Sequence, residues 1–188
     1  LAQEYKNQAA IAFFNDQPPQ SGGGAVALAA AYLEKGQDAD AEATAVMAWL
    51  DHTLSVEDED WLIRRYADAL APYHMDRLDM LLWREARENA ARTALRVDPG
   101  YLPVVTARLA LRANKQGVDG LIEKIPAKYA KDPGLAFERM QWRARKGNNA
   151  GAIELMTSRA PDMLGQPGKW AGWRKSLARS EMRAGRFD

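Results

Sequence analysis

The 188-residue chain has no cysteine and only two histidines. The first absence removes disulfides, thiolate metal sites and cysteine nucleophiles, and it is neutral about compartment, since cytosolic and periplasmic proteins alike can lack the residue. His52 and His74 lie on different expected elements. A histidine-based site would need tertiary convergence, so both are expected at helix ends or in packing. No apolar run approaches about 18 residues and no basic stretch precedes a short apolar one, which leaves neither a membrane span nor a signal peptide. The opening LAQEYKNQAAIAFF reads as mid-helix and the closing RAGRFD as a helix stop with the next helix beginning. An excised piece of a longer protein is expected.

No nucleotide-binding glycine fingerprint, P-loop, zinc-binding HExxH, EF-hand loop or GxSxG elbow occurs. Carboxylates are plentiful, but they fall on expected polar faces, without the apolar burial that raises the pKa of a glycosidase acid. Glu57 to Asp60 fall in the first turn of a helix opened by a capping box, Ser55 to Asp58, and are expected to be solvated there, where the helix dipole favours them. No catalytic residue, metal site or cofactor is expected.

Charge is present but unevenly placed. Residues 1–94 hold 8 Lys/Arg against 16 Asp/Glu, a net of −8, and residues 95–188 hold 18 against 9, a net of +9, so the overall +1 conceals two opposed halves. A cationic half bears on anionic partners and on the orientation of binding rather than on fold. The acidic half would repel a long duplex and no nucleic-acid module is present, so nucleic acid is not an expected partner.

The apolar residues recur at helical spacing and nowhere alternate, so the chain is expected to be all-α with no sheet. Residues 1–14 suit a partial helix. Residues 15–24, NDQPPQSGGG, are the one strong break and are expected as a loop. Residues 25–188 then read as an array of helix pairs, each joined by a glycine-containing turn: EKGQDAD, NKQGVDG and RKGNNAG occupy such junctions, and RAGRFD opens another. Gly117, Gly147 and Gly185 are expected to stop helices. Stacked antiparallel pairs of this kind build a right-handed α-superhelix, a tetratricopeptide-like solenoid, in a single helical-repeat domain.

One unit shows the pattern in full. Asp132 caps a helix with Pro133 in its first turn, the helix runs to about Lys146, Gly147 takes the left-handed position beyond its end, and Asn148 caps the returning helix. Phe137, Met140 and Ala144 share a face for burial. Arg139, Trp142, Arg143 and Lys146 share another, a cationic stripe with an indole suited to stacking. Trp49, Trp61, Trp83, Trp142, Trp170 and Trp173 all lie at helix positions and are expected chiefly in packing between helices.

Several strings resemble the α-superhelical region of the soluble lytic murein transglycosylases. They are the Trp61 to Leu70 helix followed by His74-Met-Asp-Arg77-Leu78 and Leu81-Leu82-Trp83; Ala107-Arg108-Leu109-Ala110-Leu111-Arg112; Asp132-Pro-Gly-Leu135 with Glu138-Arg139 and Trp142-Arg-Ala-Arg-Lys146; and Trp170 with Arg174 and Leu177-Ala178-Arg179. The resemblance covers residues 25 to 188. It implies a periplasmic, non-catalytic scaffold supporting peptidoglycan binding and turnover by a lysozyme-like catalytic domain that is absent here. That domain's glutamate in a Glu-Ser context has no counterpart, since no Glu-Ser dipeptide occurs. At Ala171 the family pattern leads one to expect an aromatic beside Trp170, with Trp173 as its replacement. The expected partners are peptidoglycan or the missing catalytic domain, and the expected contact residues are Arg139, Trp142, Arg143, Lys146, Trp170 and Arg174. A tetratricopeptide-like adaptor that captures a protein segment is the alternative.

Overall fold

A computed structural model describes residues 2–186 of the chain. Among them every regular element is helical, as the periodicity predicts. The chain divides into two compact units, Leu1–Val97 and Asp98–Asp188. The division falls just ahead of Pro99 and Gly100, which interrupt the helical pattern.

The first unit contains α1 (Ala2–Asp16), α2 (Gly22–Glu34), α3 (Asp38–Asp51), α4 (Val56–Leu70), α5 (His74–Trp83) and α6 (Arg87–Thr93). The loop expected over residues 15–24 is shorter than its composition suggests. Helix α1 continues through Asp16, and α2 opens at Gly22 because the Ser21 hydroxyl accepts from Gly24 N at 3.2 Å. Glycine is required at that opening by packing: a Cβ on Gly22 would run into the Thr53 carbonyl oxygen and lie 2.8 Å from Leu54 Cδ2. Beyond it, Ala25, Ala29, Ala41, Ala45 and Ala48 line the core with Trp49, Leu62 and Leu70. Small side chains on both α2 and α3 let the two axes approach closely, and the larger groups of α4 close the remaining space.

Helix α4 begins as the capping box predicts, with Ser55 Oγ accepting from Asp58 N at 3.0 Å. Its acids divide. Glu57 and Asp60 are exposed, but Glu59 is only 2% exposed, which corrects the expectation that all four are solvated. A buried carboxylate needs charge-assisted partners. Arg92 Nε donates to Glu59 Oε2 at 3.0 Å, and Arg77 Nη2 lies 3.9 Å from the same oxygen.

Arg77 is fully buried and anchors this region. Its Nη1 donates to the carbonyls of Trp49 (2.5 Å) and His52 (3.1 Å), and its guanidinium carbon sits 4.1 Å from the Trp49 ring centroid. Arg84 donates to Asp51 O, while Asn89 and Arg92 both donate to Leu54 O, at 2.6 and 3.2 Å. The carbonyls that α3 and its following loop leave without intrahelical partners are therefore taken up by side chains from α5, α6 and the turn between them. Burial pushes the Arg77 guanidinium down to about 10, with Glu59 opposing the shift, so it remains cationic at neutral pH.

His74, at the start of α5, packs 5.4 Å from the Trp49 ring. Burial, aided by Arg96 and Arg77 and opposed by Glu59, holds it below the ordinary value of 6.5. A histidine with a lowered folded pKa leaves the unfolded chain to bind the proton first, so its contribution is fully present above the unfolded pKa and drains away as pH falls. Urea midpoints should therefore drop between about pH 7.5 and about pH 5, and His74→Phe should flatten part of that drop. An unchanged slope in the variant would remove His74 from the account.

The second unit contains α7 (Leu102–Arg112), α8 (Val118–Ile122), α9 (Pro133–Arg145), α10 (Asn149–Thr157) and α11 (Pro167–Arg183). A 3₁₀ turn at Pro161–Leu164 leads into α11 at Pro167. Helix α9 opens as predicted, with Asp132 Oδ1 accepting from Leu135 N at 2.6 Å, and Asn148 Oδ1 caps α10 by accepting from Gly151 N at 2.9 Å. The tripeptide Asp-Pro-Gly opens both the α7 and the α9 regions, at residues 98–100 and 132–134, a spacing of 34 residues. Gly134 matters for contact: a Cβ there would enter the buried Arg108 guanidinium, which lies 3.8 Å from Asp132. The Tyr101 hydroxyl donates to the other Asp132 oxygen at 2.7 Å.

Five helices end alike. After α2, α5, α7, α9 and α11 a residue takes positive φ: Gly36 (71°), Glu85 (64°), Asn114 (54°), Gly147 (79°) and Gly185 (73°). At each, the next N–H reaches back to a carbonyl five residues earlier: Gln37 to Tyr32, Ala86 to Leu81, Lys115 to Ala110, Asn148 to Arg143 and Arg186 to Glu181, at 2.9 to 3.0 Å. This is the Schellman closure. Gly117, expected to stop α7, instead sits at positive φ directly ahead of α8, and Asn114 makes the stop. Asparagine tolerates the left-handed region well enough to do so.

Candidate functional site

Helix α9 carries the expected cationic stripe, and the structure assigns its members different tasks. Phe137 and Met140 are buried on one face, with Ala144 half-buried. On the other, Arg139, Trp142 and Arg143 line one small cavity with Leu111, Val118, Asp119 and Ile122, of about 20 Å³. That is room for a single water.

Arg143 is committed within its own hairpin. Its Nη1 donates to Gly151 O at 2.8 Å and lies 3.5 Å from Glu154, bracing α9 against α10. Arg139 is half-buried, and its guanidinium is shifted below its ordinary range, chiefly by burial and then by Arg143. The Trp142 indole N–H is buried without an acceptor. Lys146 is exposed, with Nζ 5.9 Å from the Trp142 ring centroid, at the outer edge of cation–π reach.

Trp170 is a core residue, which corrects its place among the contact residues. It has 0% exposure, its indole N–H donates to Leu164 O at 2.9 Å, and its ring meets Phe137 edge-on at 5.2 Å. The Leu164 carbonyl belongs to the 3₁₀ turn, so this tryptophan ties the turn to α9 and α11. Arg174 is exposed and lines a groove of about 480 Å³ between α10 and α11, with Ile153, Met156, Leu177 and Met182 supplying apolar walls.

The six expected contact residues thus fall into a small cavity, an exposed lysine, a core position and a separate groove. A different cationic surface lies on α11. Lys175, Arg179 and Arg183 repeat every four residues and all are exposed, with Lys169 and Arg174 on the same helix. Glu181 is the single acid of α11, and it is engaged by Arg186 at 2.5 Å and by Asn149 at 3.3 Å. Among the described residues, none of the five α11 cations has an acidic partner within ion-pairing distance. Like charges four apart weaken a helix, so the surface is costly to the isolated fold. The i, i+4, i+8 spacing is visible in the sequence.

Among the described residues no cluster of His, Cys, Asp or Glu is suited to a metal ion, and no helix is long and apolar enough to cross a membrane. Comparison with protein-family models, curated proteins and solved structures finds no significant match to this chain.

Proposed function

We propose that the chain is a non-catalytic helical-repeat scaffold of a periplasmic lytic murein transglycosylase-like protein, in which stacked helix pairs form a superhelix and present peptidoglycan to a catalytic domain. The observation that carries this reading is the repeated unit: a helix, a Schellman turn and a returning helix, with Asp-Pro-Gly recurring at 34 residues, the period of tetratricopeptide-like arrays. The transglycosylase strings named above supply the family. The uncompensated cations of α11 supply a contact surface, because the stem peptides of peptidoglycan carry carboxylates and an unpaired basic helix attracts them.

Cosedimentation with purified sacculi tests the reading. The chain should bind with an affinity that falls as salt rises, and the triple variant Lys175→Ala, Arg179→Ala, Arg183→Ala should bind about tenfold more weakly, a change of about 1.4 kcal/mol. Unchanged binding by the triple variant removes α11 from the contact. Muropeptide release by this chain alone contradicts the non-catalytic assignment, and capture of a defined peptide without sacculus association makes the chain a protein adaptor.

A further inference from the structure

The end of α10 opens on a pocket of about 310 Å³, lined by Lys131, Leu155, Ser158, Arg159, Ala160 and Met163. Its walls come from the last turn of α10, the segment that follows, the 3₁₀ turn at Pro161–Leu164 and the residue just ahead of the α9 cap. Small-molecule sites begin at about this volume, roughly 300 Å³.

The chain pairs most of its sheltered arginines. Arg77 and Arg92 meet Glu59, Arg108 lies beside Asp132, Arg112 meets Glu138, and Arg143 donates to Gly151 O. Arg139 and Arg159 differ: both are half-buried, and neither has a hydrogen bond or ion pair among the described residues. Arg139 opens on a cavity with room for one water. Arg159 opens on room for a ligand.

Sheltering a guanidinium without a partner costs free energy that packing alone does not return. Burial holds Arg159 below its ordinary range, with the Asp132 charge opposing the shift. Asp132 is already engaged, since its two oxygens accept from Leu135 N and from the Tyr101 hydroxyl. Lys131 and the Ser158 hydroxyl add donors at the pocket wall, and neither side chain has a partner among the described residues.

Two features subtract from the two cations. Asp132 acts on Arg159, and Ser158 is the C-cap of α10, so the negative end of that helix dipole lies at the pocket wall. The balance suits one negative charge better than two. A guanidinium fork matches a carboxylate through two parallel hydrogen bonds, and Leu155, Ala160 and Met163 give an aliphatic body something to touch.

We propose that this pocket binds a small organic monoanion, its carboxylate held by Arg159 with Lys131 and Ser158, and its short aliphatic body against Leu155, Ala160 and Met163. The site does not rest on the peptidoglycan reading, which places its contact on α11.

Two-dimensional NMR titration of the 188-residue chain tests it, with isovalerate and N-acetyl-alanyl-alanine as probes and isovaleramide and inorganic phosphate as controls. The acids should shift the backbone amides of Lys131, Ser158 and Arg159, with the tighter of the two saturating by about 10 mM. Which acid is tighter distinguishes a free small acid from a peptide chain end. Isovaleramide should leave the amides in place, phosphate should bind more weakly than either acid, and Arg159→Gln should weaken binding about tenfold. Because Arg159 has no partner in the fold, the urea midpoint of that variant should be unchanged or raised. Lys131→Gln, at an exposed position, should weaken binding by a smaller factor with the midpoint unchanged. Absence of saturating shifts with both acids, equal shifts with isovaleramide, tighter binding of phosphate, or shifts as large at Lys175, Arg179 and Arg183 overturns the inference. A lowered midpoint in Arg159→Gln overturns it too, because the guanidinium would then be bonded within the fold.

Discussion

Arg77→Ala should cost the first unit about 3–5 kcal/mol, enough to unfold it or nearly so, because it strips a buried charge network of its central donor. Two carbonyls, those of Trp49 and His52, lose the donor that holds them. Glu59 keeps Arg92 but loses the cation behind it, and the Trp49 face loses its guanidinium. Truncation also leaves a void where a fully buried side chain stood. Urea unfolding followed by circular dichroism measures the loss. Arg92→Ala makes the comparison, since its side chain is 31% exposed and solvent replaces part of what it supplies, so a smaller loss is expected. A loss below about 1 kcal/mol for Arg77→Ala would show that the α3 C-terminus is held by Arg84, Asn89 and Arg92 without it.

Trp170→Ala should destabilise the second unit by about 3–5 kcal/mol, the range for deleting a buried tryptophan. Trp170→Phe should recover most of the packing against Phe137 but leave Leu164 O without its donor, and so lose about 1–2 kcal/mol. The pair of variants separates a packing role from a contact role. If Trp170 acted as a ligand surface, alanine would cost binding while leaving the urea midpoint nearly unchanged. The structure predicts the reverse: a lowered urea midpoint, because the side chain is buried and holds Leu164 O.

The local chemistry of helix ends was largely legible in the sequence. Ser55, Asp132 and Asn148 cap the helices they were expected to cap, and Gly36, Gly147 and Gly185 end theirs. These are short-range effects, set by which side chain can reach a backbone N–H two or three residues on and by which residue tolerates positive φ. What escaped were positions decided by distant atoms. Glu85 takes positive φ with no glycine to announce it, held there by a returning helix whose Ala90 must reach the core. Glu59 reads as one acid among four, and only the approach of Arg77 and Arg92 from other helices distinguishes it. Gly22 looked like part of a flexible triplet, yet its missing Cβ is what admits the Thr53 carbonyl. The α9 stripe illustrates the same limit for the candidate site: spacing places side chains on one face, but Glu154 and Gly151, on the next helix, decide that Arg143 is already occupied.

The Schellman turns also bear on how quickly the chain reaches this state. Each closes a pair of helices through contacts between residues near in sequence, and chains built from such contacts fold in about microseconds to milliseconds. A hairpin such as α9–α10 has its stop, its cap and its buried alanine within one short stretch, so it is able to form ahead of its neighbours and offer them a surface. The left-handed residue is then a kinetic element as much as a geometric one: a β-branched side chain at Gly147 would hinder the reversal itself, and the delay would appear in the folding limb before it appeared in the native contacts.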